Sequence, residues 1–583
     1  MTGRRGTGPR ASGEPFARRG TGARFDGATL ALYQSLFVAS AEEMGTTLMR
    51  SAHSPNITER LDHSCAIFDG RGRLIAQAAH IPVHLGSMPR AVEVVLERCT
   101  LGHGDVVVLN DPFAGGTHLP DVTLVSPVFA RPGRPPDFLV ASRAHHADIG
   151  GAAPGSMPLA REVFEEGLRI PPVHLMRGGH VVRDVLELVL ANVRTPRERR
   201  ADLFAQLGAQ RTGERRLQEM VGAHGLGTLK RASAALMDHA DRCVRDALRV
   251  LPRGTFEYED ALDDDGLGNG PVWIRVRLSL GGGRVRVDFS GSSPQTPGPV
   301  NAVAAVTRAA ATYAMRCVLG GDFPVNHGSL ARIEVIAPPG TVVNPLPPAA
   351  VAAGNVETSQ RIVDVLLGAL ARALPDRVPA ASSGTMNNLL IGGRDPRLDQ
   401  PFAYYETLGG GHGAGPGWDG ASALQAHMTN TRNTPVESLE HSFPLRVVET
   451  RVRRGSGGAG RHRGGDGIMR SIELRAPARV TVISDRRIQG PYGLEGGAPG
   501  APGINRVQVR AGAVQRRMPG KFLVDLPAGA VITLASPGGG GHGRVARTRE
   551  TGTPASGSRG RPRASSPSER RTRKSVQVGR ARS

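Results

Sequence analysis

The chain reads as a mixed α/β (α+β), multi-domain protein with a β-rich C-terminal portion and disordered, basic termini. Three observations carry that reading. Apolar residues switch along the chain between the 3.6-residue repeat of helices and the two-residue repeat of strands. The 77 glycines and 44 prolines among 583 residues interrupt it too often for a helical scaffold. Positive charge collects at the ends: residues 1–24 and 544–583 carry +15 of the net +21, with too little apolar surface to order themselves.

Residues 1–25 are the expected disordered extension. Over about 28–50, Leu32, Leu36, Met44 and Leu48 recur on one helical face, with Tyr33 and Phe37 beside them. Segments 64–69 and 73–77 flank Gly70 and Gly72 as a hairpin, and strands are expected at 105–110, 121–129 and 138–142. Helical spacing then runs from about 181 to 251 and stops at Pro252, closing an N-terminal α/β region at 26–252. A second, α+β region spans 253–543. In it, 272–280 and 284–289 alternate apolar and polar residues around Gly281–Gly283 as an antiparallel pair, and helices are expected near 302–318 and 356–373. Between 380 and 470 the chain is dense in Gly, Asn, Thr and His. It cannot build a hydrophobic layer there, so ordered loops over a site are expected. Strand patterns at 480–484 and 530–535 make the C-terminal part β-rich, and 544–583 is a disordered basic tail.

Chemistry concentrates in Gly-Gly-Thr-His-Leu-Pro-Asp at 115–121 and Arg-Ala-His-His-Ala-Asp-Ile-Gly-Gly at 143–151. Each holds a His-x-x-Asp pair where a strand runs into a loop. Imidazole and carboxylate together suit Zn, Mn or Fe. Residues i and i+3 of a strand point to opposite faces, so His118 and Asp121 converge only if the backbone bends, and Gly115, Gly116 and Pro120 allow that. The same relation links His145 to Asp148. Of the neighbours His145 and His146, extended backbone turns one toward the site, and His145 has the matching spacing. Asp62 and Asp111, carboxylates at further strand ends, are candidates to complete a metal shell, and His80 and His84 to line it or to serve as loop residues.

Other classes are disfavoured. The 4% aromatic content argues against a base-stacking surface, and with the charge in the tails no specific nucleic acid is expected. Cys65, Cys99, Cys243 and Cys317 are too scattered for a disulfide framework or zinc ribbon. There is no run of 18 apolar residues and no apolar segment after Arg4-Arg5, so a cytoplasmic protein without membrane attachment is expected. Gly-x4-Gly-Lys-Ser/Thr and Gly-x-Ser-x-Gly are both absent, which removes the usual signals for a phosphate-binding loop and a serine hydrolase.

Longer motifs carry a resemblance. Glu42-Glu43-Met44-Gly45, Arg50-Ser51-Ala52-His53-Ser54-Pro55-Asn56-Ile57, Asn110-Asp111-Pro112-Phe113, the 115–121 and 143–151 stretches, Gly354-Asn355-Val356-Glu357-Thr358-Ser359-Gln360, Tyr405-Glu406-Thr407 and Asn430-Thr431-Arg432-Asn433 resemble the hydantoinase B/oxoprolinase family, over about 27–543. The resemblance implies an ATP-dependent amidohydrolase of two subunits. An A-type subunit uses ATP to phosphorylate the amide oxygen of a hydantoin, 5-oxoproline or another lactam, and the B-type subunit opens the ring. Related ketone carboxylases hold a metal by His-x-x-Asp and a later His, which here implies His118, Asp121 and His145. His146 or Asp148 would then orient the attacking water. The expected partner is an A-type ATP-binding subunit in a hetero-oligomer, with no cofactor bound by this chain beyond a divalent transition metal. A ketone carboxylase subunit and a non-catalytic scaffold for the A-type subunit stay open as alternatives, although the chain's length favours the hydrolase.

Overall fold

Strands buried on both faces organise the N-terminal part. The computed structural model describes residues 25–78, 81–131, 134–321 and 323–545; His80 and nearly all of both basic termini lie outside them. β1 (His63–Asp69) and β2 (Leu74–Gln77) form the expected hairpin. With β3 (Val106–Leu109), β4 (Asp121–Val128), β5 (Phe138–His145), β6 (Val173–Arg177) and β7 (His180–Val181) they build an antiparallel sheet in the order β2-β1-β5-β4-β3-β6-β7. Every residue of β4 and β5 is buried, including the polar Thr123, Ser126, Ser142 and Arg143. Alternation still sorts their side chains. Phe138, Val140 and Ala144 pack with the helices Gly27–Ser51, Pro196–His224 and Leu226–Arg249. Leu139 and Ala141 pack with Met88, Ala91, Val92 and Val95 of the helix Met88–Arg98. Each large apolar side chain buried in these layers contributes about 1.5–3 kcal/mol.

The first helix begins where Asp26 accepts a hydrogen bond from the Thr29 N–H at 2.7 Å, a cap for an otherwise unpaired donor. The long helical stretch expected at 181–251 is three helices, Arg183–Ala191, Pro196–His224 and Leu226–Arg249. Pro196 suits a helix start because it has no N–H to leave unpaired, and Gly225 takes φ +78° between the last two, a conformation that glycine tolerates.

β8 (Gly254–Leu262), β9 (Val272–Gly281), β10 (Arg284–Asp288) and β11 (Ile333–Ile336) form a second sheet in the order β11-β10-β9-β8. β9 and β10 pair antiparallel as expected, and β11 adds in parallel. The helices Ala304–Leu319 and Ser359–Ala373 cover its apolar side. Ile81, Val83 and Met157 join the same core, so apolar packing runs across the 252/253 boundary.

The β-rich C-terminal part consists of two antiparallel sheets. One contains β12 (Asn388–Asp395), β13 (Gln400–Glu406), β16 (Ala478–Ile483) and β19 (Lys521–Leu526); the other contains β14 (Leu445–Arg453), β15 (Gly467–Leu474), β17 (Ile504–Gln508), β18 (Arg516–Met518) and β20 (Val531–Ala535). They share one apolar layer that includes Leu389, Ile391, Ile472, Leu474 and Ile532. The glycine-dense stretch is largely ordered loop, as expected. Much of 409–465 packs, backbone on backbone, with 537–541. The Gly411 N–H donates to the Pro537 carbonyl at 3.0 Å, that of Gly539 to Gly465 at 2.9 Å and that of Gly458 to Gly539 at 2.8 Å. A Cβ on Gly411 would stand 1.9 Å from the Gly465 oxygen, so backbone hydrogen bonds replace side-chain packing there.

Candidate metal centre

Pairing of β4 with β5 sets Asp121 opposite His145 and Thr123 opposite Arg143. Directly opposed residues of antiparallel strands project to one face. His145 is thus the last residue of its strand and Asp121 the first of its own, each at a junction of strand and loop as expected, and a cross-strand pair joins them. His118 arrives by the predicted bend, with the Asp121 N–H donating to the His118 carbonyl at 3.1 Å. Gly115 takes φ +91°, and a Cβ there would meet the Ala91 Cα at 2.7 Å; one on Gly116 would meet the Asn110 carbonyl oxygen at 2.5 Å. With the chain folded this tightly, one ligand atom each from His118, Asp121 and His145 lie within 4.8 Å of one another, all fully buried.

Neighbours fix each member. Thr117 Oγ1 donates to Asp121 Oδ2 at 2.5 Å and His84 Nε2 stands 3.4 Å from the same oxygen, while Ser64 Oγ lies 2.9 Å from His84 Nδ1. Oδ1 of Asp121 is left facing His118 Nε2 at 3.3 Å. That approach is misaligned for a hydrogen bond, so both ring nitrogens of His118, like Nε2 of His145, are buried without a hydrogen-bond partner. His145 Nδ1 meets Asn56 Nδ2 at 3.4 Å, and the His145 ring stacks on Tyr405 with centroids 4.7 Å apart and planes at 17°. The buried Arg60 guanidinium sits 4.4 Å from the Tyr405 ring centre, a cation–π contact, and donates to Asn56 Oδ1, the Tyr405 carbonyl, Thr407 and Thr431.

A buried polar group without a partner costs about 1–3 kcal/mol. Imidazole nitrogens in that state, converging on a carboxylate oxygen, fit a divalent transition metal. Electrostatics agrees. Burial opposes ionisation of Asp121, but the imidazoles of His118 and His84 hold its carboxyl well below the usual range. Burial, reinforced by His118, keeps His145 well below its ordinary value and therefore neutral. An ionised carboxylate and a neutral imidazole are the forms that bind metal. Burial pushes Asp62 up, against Arg60.

The remaining sequence candidates fall elsewhere. Asp62 borders the centre, its carbonyl accepting the His145 N–H at 3.0 Å, but its carboxylate is outside the cluster of three. Asp111 caps a short turn, accepting from the Phe113 N–H at 3.0 Å, and faces Arg169 at 3.6 Å. Asp148 does not converge with His145: Arg194 takes it through Nη1 at 2.9 Å and its backbone N–H at 2.8 Å. His146, one residue on, points to the opposite face, where Nε2 lies 2.9 Å from Gln206 Oε1; burial, with Arg199 nearby, brings it down to about 4. Thr117, Asn56, Arg60 and Tyr405 had no role from sequence reading, because their chemistry is ordinary and most of their partners are distant in the chain.

Fold and donor set together define a class: proteins that build a buried His–Asp–His site at the edge of a helix-covered antiparallel sheet, against a β-rich C-terminal part. The hydantoinase B/oxoprolinase family model matches residues 26–545, and the chain belongs to that family. It is 39% identical over 545 residues to 5-oxoprolinase 1 of Arabidopsis thaliana, covering 88% of this chain and 41% of that relative; it thus spans about two fifths of that protein's length. An uncharacterized protein of Methanocaldococcus jannaschii is 40% identical over 519 residues, covering 86% of this chain and 88% of the relative. The crystal structure of an ATP-dependent caprolactamase from Pseudomonas jessenii superposes with a TM-score of 0.83 at 29% identity, over 90% of this chain and 92% of that one.

Proposed function

We propose that the chain is the B-type component of an ATP-dependent amidohydrolase for cyclic amides, a hydantoin, 5-oxoproline or another lactam, and opens the ring at the His118–Asp121–His145 centre. The observation that carries the reading is the set of buried imidazole nitrogens without a hydrogen bond gathered at Asp121, in a chain whose relatives include a 5-oxoprolinase and a caprolactamase. A zinc, manganese or iron ion held by these three residues supplies Lewis acidity. The protein's own side chains do the positioning. Thr117 and His84 turn Asp121 through Oδ2, while Asn56 and Tyr405 hold the His145 ring. Arg60 and Arg143 bring buried positive charge to the site: Arg143 donates to Thr123, Ser87 and the Gly115 carbonyl. Such charge would favour the anionic phosphoryl group that an activated amide carries on its oxygen.

An amide is a weak electrophile, and we assign its activation by ATP to an A-type partner subunit. Two observations support the division: the sequence has no Gly-x4-Gly-Lys-Ser/Thr motif, and it is similar in structure to a caprolactamase that is ATP-dependent. No helix of the described residues is long and apolar enough to cross a membrane, and we place the complex in the cytoplasm. The test is metal analysis of the purified protein, followed by assay of the chain co-expressed with an A-type subunit against a panel of lactams, with and without ATP. Ring opening is expected only with metal, partner and ATP together. Full activity in a metal-free complex reduces this chain to a scaffold; ATP-dependent turnover by the chain alone refutes the division of labour.

A further inference from the structure

Glu357 is a buried carboxyl that the reading above leaves without a task. It lies in the π-helical turn Gly354–Thr358 ahead of the helix Ser359–Ala373, and single π turns are rare and concentrate at functional sites. Its Oε1 accepts from Asn388 Nδ2 at 2.9 Å and from the Met386 N–H at 3.2 Å; Oε2 has no hydrogen-bond partner. The second hydrogen of Asn388 Nδ2 goes to the Ile483 carbonyl at 2.8 Å. Both amide hydrogens are therefore spoken for, and Oδ1 has to face the other way. There it accepts from the Tyr405 hydroxyl at 2.9 Å. The Tyr405 ring is the one that stacks 4.7 Å from His145. Two hydrogen bonds and one ring stack thus connect the π turn to a metal ligand.

We propose that Glu357 is a positioning residue of the metal centre: it sets the direction of the Asn388 amide, which holds the Tyr405 phenol and so the plane of the His145 imidazole. The inference rests on the metal reading above. An apolar side chain would fill the space without an unpaired oxygen, whereas a polar series fixes orientation, which apolar packing does not. Burial, reinforced by Asp485, pushes the Glu357 carboxyl up, toward the neutral form that glutamine mimics.

Cobalt(II) loaded into the full-length protein gives a readout apart from turnover: its absorption spectrum, and its affinity by chelator competition. Glu357→Ala and Tyr405→Phe are each expected to change the spectrum and weaken binding by roughly tenfold, as loss of an outer partner does. The double variant is expected to lose no more than one single variant, because both act along one series, and Glu357→Gln is expected to restore the wild-type spectrum. An unchanged spectrum and affinity in Glu357→Ala, or losses that multiply in the double variant, overturns the proposal. Tyr405→Phe removes one oxygen and keeps the ring, so if Glu357→Ala does not fold, an unaltered spectrum in Tyr405→Phe overturns it instead. A wild-type protein that takes up no cobalt refutes the metal reading and this inference with it; cobalt uptake by insensitive variants refutes the inference alone.

Discussion

Asp121 is the residue on which the centre turns, because its two oxygens face different neighbours: Oδ2 is engaged by Thr117 and His84, and Oδ1 faces His118. Asp121→Asn keeps the shape and the Thr117 contact but removes the charge. It is expected to lower metal affinity by more than the roughly tenfold to hundredfold that an outer partner costs, with the far-ultraviolet circular dichroism unchanged; full metal occupancy in this variant would refute the ligand assignment. The cluster of His118, Asp121 and His145 is legible through the repeated His-x-x-Asp spacing and the family resemblance; alternation along a strand says only that one of His145 and His146 faces the site, and the choice of His145 rests on its spacing from Asp148, a pairing the fold does not make. Asp148 was not legible, since Arg194, 46 residues away, claims it. Arg60 reaches Tyr405 across 345 residues, a distance at which no local pattern carries information.

Elements were legible where burial has one side and also where it has two: β3, β4 and β5, buried throughout, fall where strands are expected. β9 alternates as predicted because one of its faces meets the core. The glycine-dense stretch is ordered loop as its composition implies, but its packing of backbone on backbone is not legible, because a layer of backbone has no side-chain pattern. Glu166, at the end of the short helix Val163–Glu166, shows how an element can be pinned by a buried carboxyl. Its Oε1 accepts from the N–H groups of Val351 and Ala352 at 2.7 and 2.8 Å, yet burial outweighs them and pushes it up from 4.5 to about 8. The folded state therefore holds a proton that the unfolded chain releases above about 4.5, and the stability this gives at low pH is lost as pH rises from there to about 8. Glu166→Gln mimics the neutral form. Thermal melts are expected to show the variant gaining on the wild type as pH goes from 5 to 8; a difference independent of pH would remove Glu166 as the cause.

At the scale of the whole molecule, the fold class was legible from composition and periodicity, but strand order was not, since β16 pairs with β19 across a long insertion and one core draws on both sides of residue 252. The net charge of +21 is the whole-molecule feature most open to misreading. Residues 1–24 and 546–583 carry +14 of it, and the family match, 26–545, excludes them. His118, Asp121 and His145 all lie within the match, so an activity that depends on them is expected not to need the ends. Polyanion binding by the intact chain, which scales with clustered charge and weakens with salt, depends on them. A 25–545 variant is expected to keep its metal, its thermal midpoint, its capture of an A-type partner and its ring-opening rate, while eluting from heparin at much lower salt. Loss of partner capture with the metal and midpoint intact would show instead that the basic ends are docking segments, and would move the partner surface from the folded body to the termini.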